Sequence, residues 1–505
     1  MKYIAVLVVA LVIDMEGISQ KIKVTLGPVL DQKEIVKMMG VPKFKIGRRA
    51  TTISTGIFFD NVSNKSIIYF GFSGSSLRFM VSDDYIKPGY GKDLSAELVK
   101  EGDKESIQLV SFVSINNRLY IFYAIDFPKT DQFSVYMNEV SKDFVVMGSP
   151  ILVHNYKDLK KYGHSVNLLP SRNNQYFLLS RDIETKPREP QKFECTVIDS
   201  LFSPTWSRLF EMENKDKELL LQSIDLDNNG NLYVLAEKEV KPEAGPVLYF
   251  YGWKDKLLKS APLGLADGDN FGVKLEIVNG TTPYLVGLNQ QKKSVRCFVD
   301  RFDVTSASLQ HLGNTPMPDD FYKASNFNAF ETNHWSVSNL VSLENKDLVA
   351  SVEARLVKYV NGVPMGYYTY FTFLNVFTEQ GALKYQHTIR KIQGSANEFI
   401  GLSLFTYKNK VLAIYNDHPK NLKLSPTEKK VEGYTGIKEA MIMVQEIDEN
   451  GKVSKYPLTT DPQLENWNLN LSSITKIKDS YYYANAMSRK GMLSFESRAL
   501  TFEIE

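Results

Sequence analysis

Six histidines, His154, His164, His311, His334, His387 and His418, are the side chains best suited to acid–base work or metal ligation in this sequence. None stands at the short spacing that sets two imidazoles on one ion, so a metal site would need the fold to gather distant segments. For nucleophilic catalysis there is no Gly-x-Ser-x-Gly elbow, and neither Cys195 nor Cys297 carries a local catalytic signature. The segment 225–230, DLDNNG, matches the first half of an EF-hand calcium loop, but Ala236 stands where the bidentate Glu belongs. No metal or other cofactor is assigned.

Two clusters set a large ring beside hydrogen-bonding groups, which is how ligand pockets are usually lined. Trp335 follows Glu331, Asn333 and His334, and Trp467 follows Glu465 and Asn466. Tyr367, Tyr368 and Tyr434 stand at the ends of long connections and could stack on a sugar or a peptide, or else belong to strands. The candidate ligand-binding residues are therefore Glu331, His334, Trp335, Glu465, Trp467, Tyr367 and Tyr434.

The elements that would position them are announced by residues 223–237, SIDLDNNGNLYVLAE. Asn and Gly accept the positive φ of a tight hairpin turn, so this stretch reads as strand, turn, strand. Its second apolar run is continuous rather than alternating, the mark of a strand covered on both faces. The same arrangement recurs at 64–70, 116–122, 173–179, 279–286, 345–349, 409–414 and 479–483, giving eight copies. They lie roughly 50 to 70 residues apart, the period of a propeller blade with some long loops. Solenoid helices would show a period of about 3.6 instead.

Second hairpins at 373–385 and 442–456 give four strands per unit. Such a sheet cannot bury both faces alone, and radial stacking around an axis solves this. The expected fold is an all-β propeller of about eight four-stranded blades, or seven if one weak copy is a loop excursion. The last unit shows strands only at 471–477, 481–486 and 493–504, so the N-terminal strand at 22–26 is expected to complete it and close the ring.

Residues 1–19 combine Lys2, an apolar run from Tyr3 to Ile13 and small residues at Gly17 and Ser19, the layout of a secretory signal. The expected division is a signal peptide, 1–19, and one propeller domain, 20–505, with no transmembrane segment in the mature chain. Export would place the protein in the periplasm or outside the cell. A net charge of +2 with 23% charged residues implies no field for nucleic acid. Cys195 and Cys297 fall in similar places of units too far apart to bridge, so both are expected as buried thiols.

The stretch 225–237, DLDNNGNLYVLAE, resembles the turn and second strand of NHL and gluconolactonase-like propeller repeats, and of secreted bacterial propellers generally. That resemblance covers about a dozen residues as motif and implies the fold; such propellers serve as hydrolases, lyases, lectins and docking platforms. Ser223-Ile-Asp225 also begins like the Asp box of sialidase-type propellers, but Asp227 replaces its Gly and no Thr-Trp follows.

Connections after the second strand are long at 183–192, 237–245, 356–366 and 417–436. In a propeller these emerge on one face, where binding sites are usually built. The expected function is an exported, monomeric or weakly associating binding module for a protein or glycan. A carbohydrate-active hydrolase or lyase is the alternative, and it requires two carboxylates, or a His and a carboxylate, converging in one axial cavity.

Overall fold

The computed structural model describes residues 22–31, 55–60, 65–71, 77–82, 90–98, 106–127, 132–157, 166–183, 191–212, 219–238, 245–326, 335–360, 363–424, 430–435, 439–478, 480–489 and 495–504. The signal peptide expected at 1–19 lies outside them, as do Glu331 and His334.

The described strands form eight antiparallel sheets, seven of four strands and one of six. This is a β-propeller, and its cause is visible in the second strands. Leu232, Tyr233, Val234, Leu235 and Ala236 are all buried, yet they do not share one core. Leu232 and Val234 pack toward the third sheet, while Tyr233 and Leu235 pack toward the fifth. Successive strand residues point to opposite faces, so a continuous apolar run is what a sheet sandwiched between two neighbours demands. The same division recurs where Ala350 and Val352 face the fifth sheet and Val349 faces the seventh. Seven successive pairs of neighbouring sheets each bury one apolar cluster.

The hairpin turns are fixed by side-chain caps. Asp227 Oδ1 accepts from the backbone N–H groups of Asn229 and Asn231, and Oδ2 accepts from Asn231 Nδ2 and the Tyr233 hydroxyl. Gly230 takes φ of 80°. The DLDNNG segment is thus a hairpin turn, followed by the strand Leu232–Lys238 rather than by a helix. Asp199 and Asp448 cap their turns in the same way.

The sixth sheet departs from the four-stranded pattern. Residues 356–366, expected as a long loop, instead continue the strand Leu348–Val360 and turn into the strand Val363–Thr369. This hairpin pairs with Gln393–Ser395, so Tyr367 and Tyr368 are strand residues opposite Ser395 and Gly394.

Cys195 and Cys297 are both buried and free, in the third strands of the third and fifth sheets. No helix among the described residues is long and apolar enough to cross a membrane.

The eighth sheet takes its fourth strand from the other end of the chain. Ile22–Asp31 pairs antiparallel with Phe495–Ile504, with Ile22 opposite Ile504 and Val24 opposite Phe502. Ile22 is itself part of the cluster between the seventh and eighth sheets. Removing residues 21–30 should therefore lower the melting midpoint of the whole chain, measured by circular dichroism or calorimetry. An unchanged midpoint would show that this pairing contributes nothing to stability.

Candidate functional site

Trp335 begins the first strand of the sixth sheet and is fully buried, with its ring 4.7 Å from that of Phe321 and 5.7 Å from Phe373. Trp467 is buried between the seventh and eighth sheets, under the Arg498 guanidinium at 5.3 Å. The two rings thus belong to different inter-sheet cores. Glu465 is exposed at the end of the turn Pro462–Leu464. Tyr367 is half-buried in its strand. Tyr434 is buried, its hydroxyl donates to Asn468 Oδ1 at 2.5 Å, and its backbone brackets residues 392–394.

The described histidines are scattered and partnered. His154 faces Glu194 at 3.6 Å, His311 faces Asp300 at 2.9 Å, His387 meets Gln445 at 2.8 Å, and His418 meets Glu439 at 2.6 Å. No group of three or more metal-ligating side chains occurs among the described residues.

What sequence reasoning missed lies in the first strands. Those of the second, fourth, fifth and sixth sheets each shift register once, at Leu109/Ser111, Leu221/Ser223, Phe271/Lys274 and Val337/Asn339. Such a bulge bends the strand and re-aims its side chains. Three of these strands frame a cavity of about 310 Å³, lined in part by Ser223, Lys274, Ser336, Ser338, Glu237 and Arg355. Gly272 closes one side with φ of 59°, and a Cβ there would lie 2.7 Å from Ser336 Cα. Only glycine permits that approach. The cavity offers hydroxyls and two cationic side chains, with Glu237 engaged by Gln222 at 3.3 Å. This donor set suits an anionic or polyhydroxylated ligand.

On the same first strands stand Asp225, which faces the lining Lys274, and Glu276. Burial pushes both carboxyls above the ordinary range, and Asp225 adds to the effect on Glu276. Asp225 accepts from the Ser223 hydroxyl at 3.0 Å, and Arg172 lies 3.8 Å from Glu276. Neither carboxylate lines the cavity.

Arg355 connects the cavity to a buried polar cluster at the long-loop ends of the sixth and seventh sheets. Its guanidinium is 3.9 Å from Glu353 Oε2, and Glu353 Oε1 pairs with Lys391 at 2.9 Å, with Glu353 and Lys391 fully buried. Burial acts to raise the Glu353 pKa, but Lys391 and Arg355 bring it below the usual value; burial lowers that of Lys391. The Thr372 hydroxyl donates to Glu353 at 2.5 Å, and Gln393 Oε1 accepts from Lys391 at 2.9 Å and from Gly401 N–H at 2.8 Å. Gln393 Nε2 then donates to Asn416 O at 2.6 Å. The sequence carries a trace of this cluster, since Glu353 and Asn416-Asp417 interrupt otherwise apolar second strands.

Asp417 holds the described start of the connection expected at 417–436. Its Oδ1 accepts from Asn421 Nδ2 at 2.7 Å and from His418 N–H at 2.9 Å. Asn421 in turn holds residue 432 through two backbone hydrogen bonds. Burial raises the Asp417 pKa from 3.8 to about 6, against the lowering effect of Asn421. A raised carboxyl pKa means the folded state binds the proton more tightly, so stability falls as pH rises from about 4 to about 6. Asp417→Asn keeps the acceptor and removes the charge. The variant should match the wild type below pH ~4 and exceed it by about 3 kcal/mol above pH ~6, measured by urea unfolding across that range. A constant difference at all pH values would sink this assignment.

No protein-family model matches the sequence, and no curated protein matches it. Among solved structures, the chain is similar to the WD40 domain of SCAP from fission yeast, at 9% identity and a TM-score of 0.37, over 95% of this chain and 98% of that one. It is similar to Sqt1 from Chaetomium thermophilum at 10% identity and a TM-score of 0.40, over 90% and 97% of the two chains. Similarity to prolyl oligopeptidase B from Galerina marginata, at 10% identity and a TM-score of 0.37, covers 86% of this chain and 55% of that one. This chain thus aligns with about half the length of that enzyme. Likeness at this level assigns no ligand and no activity.

Proposed function

We propose that this protein is an exported binding module that captures an acidic chain, glycan or protein, at the axial cavity and long-loop face. The observation that carries the reading is the cavity of about 310 Å³ flanked by Lys274 and Arg355 and lined by Ser223, Ser336 and Ser338. Cations at the mouth steer an anion by long-range attraction, and hydroxyls donate to its oxygens once it has docked. Arg355 is held from behind by the Glu353–Lys391 pair, so less side-chain freedom is lost when a ligand arrives.

The enzyme reading rests on Asp225 and Glu276, two carboxyls with raised pKa on adjacent first strands. Neither carboxylate is itself among the lining residues, although Asp225 touches the lining Ser223 and faces Lys274, and the described histidines are scattered, which favours binding over turnover.

The chain from Gln20 onward should bind oligogalacturonate or poly-glutamate saturably, with affinity falling as salt rises. Lys274→Gln with Arg355→Gln should weaken it about tenfold or more, measured by calorimetric titration. Equal binding of neutral oligosaccharides, or indifference to salt, would refute the proposal. Glutamate and uronate arms separate protein from glycan, and shorter products in the uronate arm would instead establish the enzyme.

Export rests on the layout of residues 1–19. Amino-terminal sequencing of the protein recovered from its own cells should begin at Gln20, and recovery of chains beginning at Met1 would contradict export by this signal.

A further inference from the structure

Two carboxyls stand beside the axial cavity with no part in gripping an anion. Asp225, on the first strand of the fourth sheet, Leu219–Leu226, accepts at 3.0 Å from the hydroxyl of Ser223, a lining residue. The first strand of the fifth sheet, Asp269–Val278, brings Lys274 to face Asp225 and carries Glu276 two residues further on. Past the register shift at Phe271/Lys274 the pairing is regular, so Lys274 and Glu276 share one side of their strand.

The groups around this pair come from four sheets. Arg172, in the first turn of the third sheet, lies 3.8 Å from Glu276 and donates to Ile277 O at 3.3 Å. Ser342 of the sixth sheet hydrogen-bonds Glu276, and Asp225 repels it. Asp227, the next acid along the fourth sheet, is turned into its own hairpin by Asn229, Asn231 and Tyr233. In the cavity lining, Glu237 accepts from Gln222 at 3.3 Å and Arg355 stands 3.9 Å from Glu353. Burial disfavours the ionised form of both carboxyls and holds them above the usual carboxylate range. Ser223 and Lys274 oppose this at Asp225, and Arg172 and Ser342 oppose it at Glu276.

We propose that Asp225 and Glu276 make anion capture at the axial cavity proton-linked, so that an acidic chain binds more tightly as pH falls. This linkage rests on the binding role proposed above and adds its regulation. Ionised, the two carboxylates offset Lys274 and Arg172 and weaken the attraction for an anion; protonated, they leave those cations to the ligand. Because both carboxyls lie above the ordinary value near ~4, the change is displaced toward neutral pH. By reciprocity a bound anion draws protons onto the carboxyls, so binding takes up protons.

The test is calorimetric titration of the chain from Gln20 onward with oligogalacturonate and with poly-glutamate between pH ~8 and pH ~4, in parallel with the Asp225→Asn, Glu276→Gln double variant. Both proteins meet the same ligand, so the ligand's own titration cancels in their ratio. The double variant should bind about tenfold more tightly than the wild type at pH ~7.5 and equally at pH ~4. Near pH ~5 the wild type should take up protons on binding, read as a heat that changes with the ionisation enthalpy of the buffer, and the variant should take up fewer. Melting curves check that the double variant folds; if it does not, Asp225→Asn alone, which keeps an acceptor for Ser223, decides in the same direction. Equal binding at pH ~7.5, or a ratio that does not change with pH, would overturn the linkage and leave the binding role standing. No binding of either ligand by either protein at any pH would overturn both.

Discussion

Everything in this molecule depends on each central strand burying two faces at once against two different neighbours. Leu232 and Val234 on one side, with Tyr233 and Leu235 on the other, place a single strand in two cores. A four-stranded sheet alone would leave one of those faces in water, at roughly 25 cal/mol for each Å² of apolar surface. The sheets are therefore stable as neighbours rather than as separate units, which is the energetics of a repeat array. The outermost strand of the eighth sheet, Ile22–Asp31, follows from the same demand. Without it, Phe502 and Ile504 would lie on an unpaired edge strand.

Two-sided burial also dictates where polar groups can stand. A charge on a second strand has apolar neighbours on both sides, so Glu353 survives only with Lys391, Thr372 and Arg355 around it. Asn416 is held likewise, donating to Phe399 O and Leu469 O and accepting from Leu469 N–H. These groups sit where second strands leave the core for the long-loop face. Replacing such a buried pair with apolar residues is often neutral or stabilising, so the cluster argues for fixed geometry more than for stability. What it fixes is Arg355 on one side and the Asp417-anchored loop on the other.

The architecture was legible because its determinants are local. Asn and Gly at the turns, and unbroken apolar runs after them, follow from positive φ and from burial on both faces, and Gly230 and Leu232–Ala236 show each. The site was less legible because its determinants are relational. Trp335 reads as a pocket ring from its polar neighbours, but a residue entering a first strand can turn into the inter-sheet core, and burying an indole there is worth more than presenting it. The stretch 356–366 reads as a connection because Asn361, Gly362 and Pro364 are turn residues, yet the strands Leu348–Val360 and Val363–Thr369 on either side of Asn361-Gly362 pair with each other. Tyr434 reads as a ring at a loop end that could meet a ligand, and in the fold it is buried with its hydroxyl on Asn468.

The bulges are the step by which a repetitive scaffold acquires a specific cavity. Regular first strands would run alongside one another down the axis and fill it evenly. A register shift at Leu221/Ser223, at Phe271/Lys274 and at Val337/Asn339 bends the first strands of three successive sheets. Gly272 then lets the first strand of the fifth sheet approach the backbone at Trp335 and Ser336, leaving the opening beside it for Lys274 and Arg355. Single strands carry traces of the bulges, Gly272 inside one first strand and the polar Gln222 breaking the apolar run of another. Their meaning emerges only when neighbouring strands repeat the irregularity, because the cavity belongs to the ring of strands and not to any one of them.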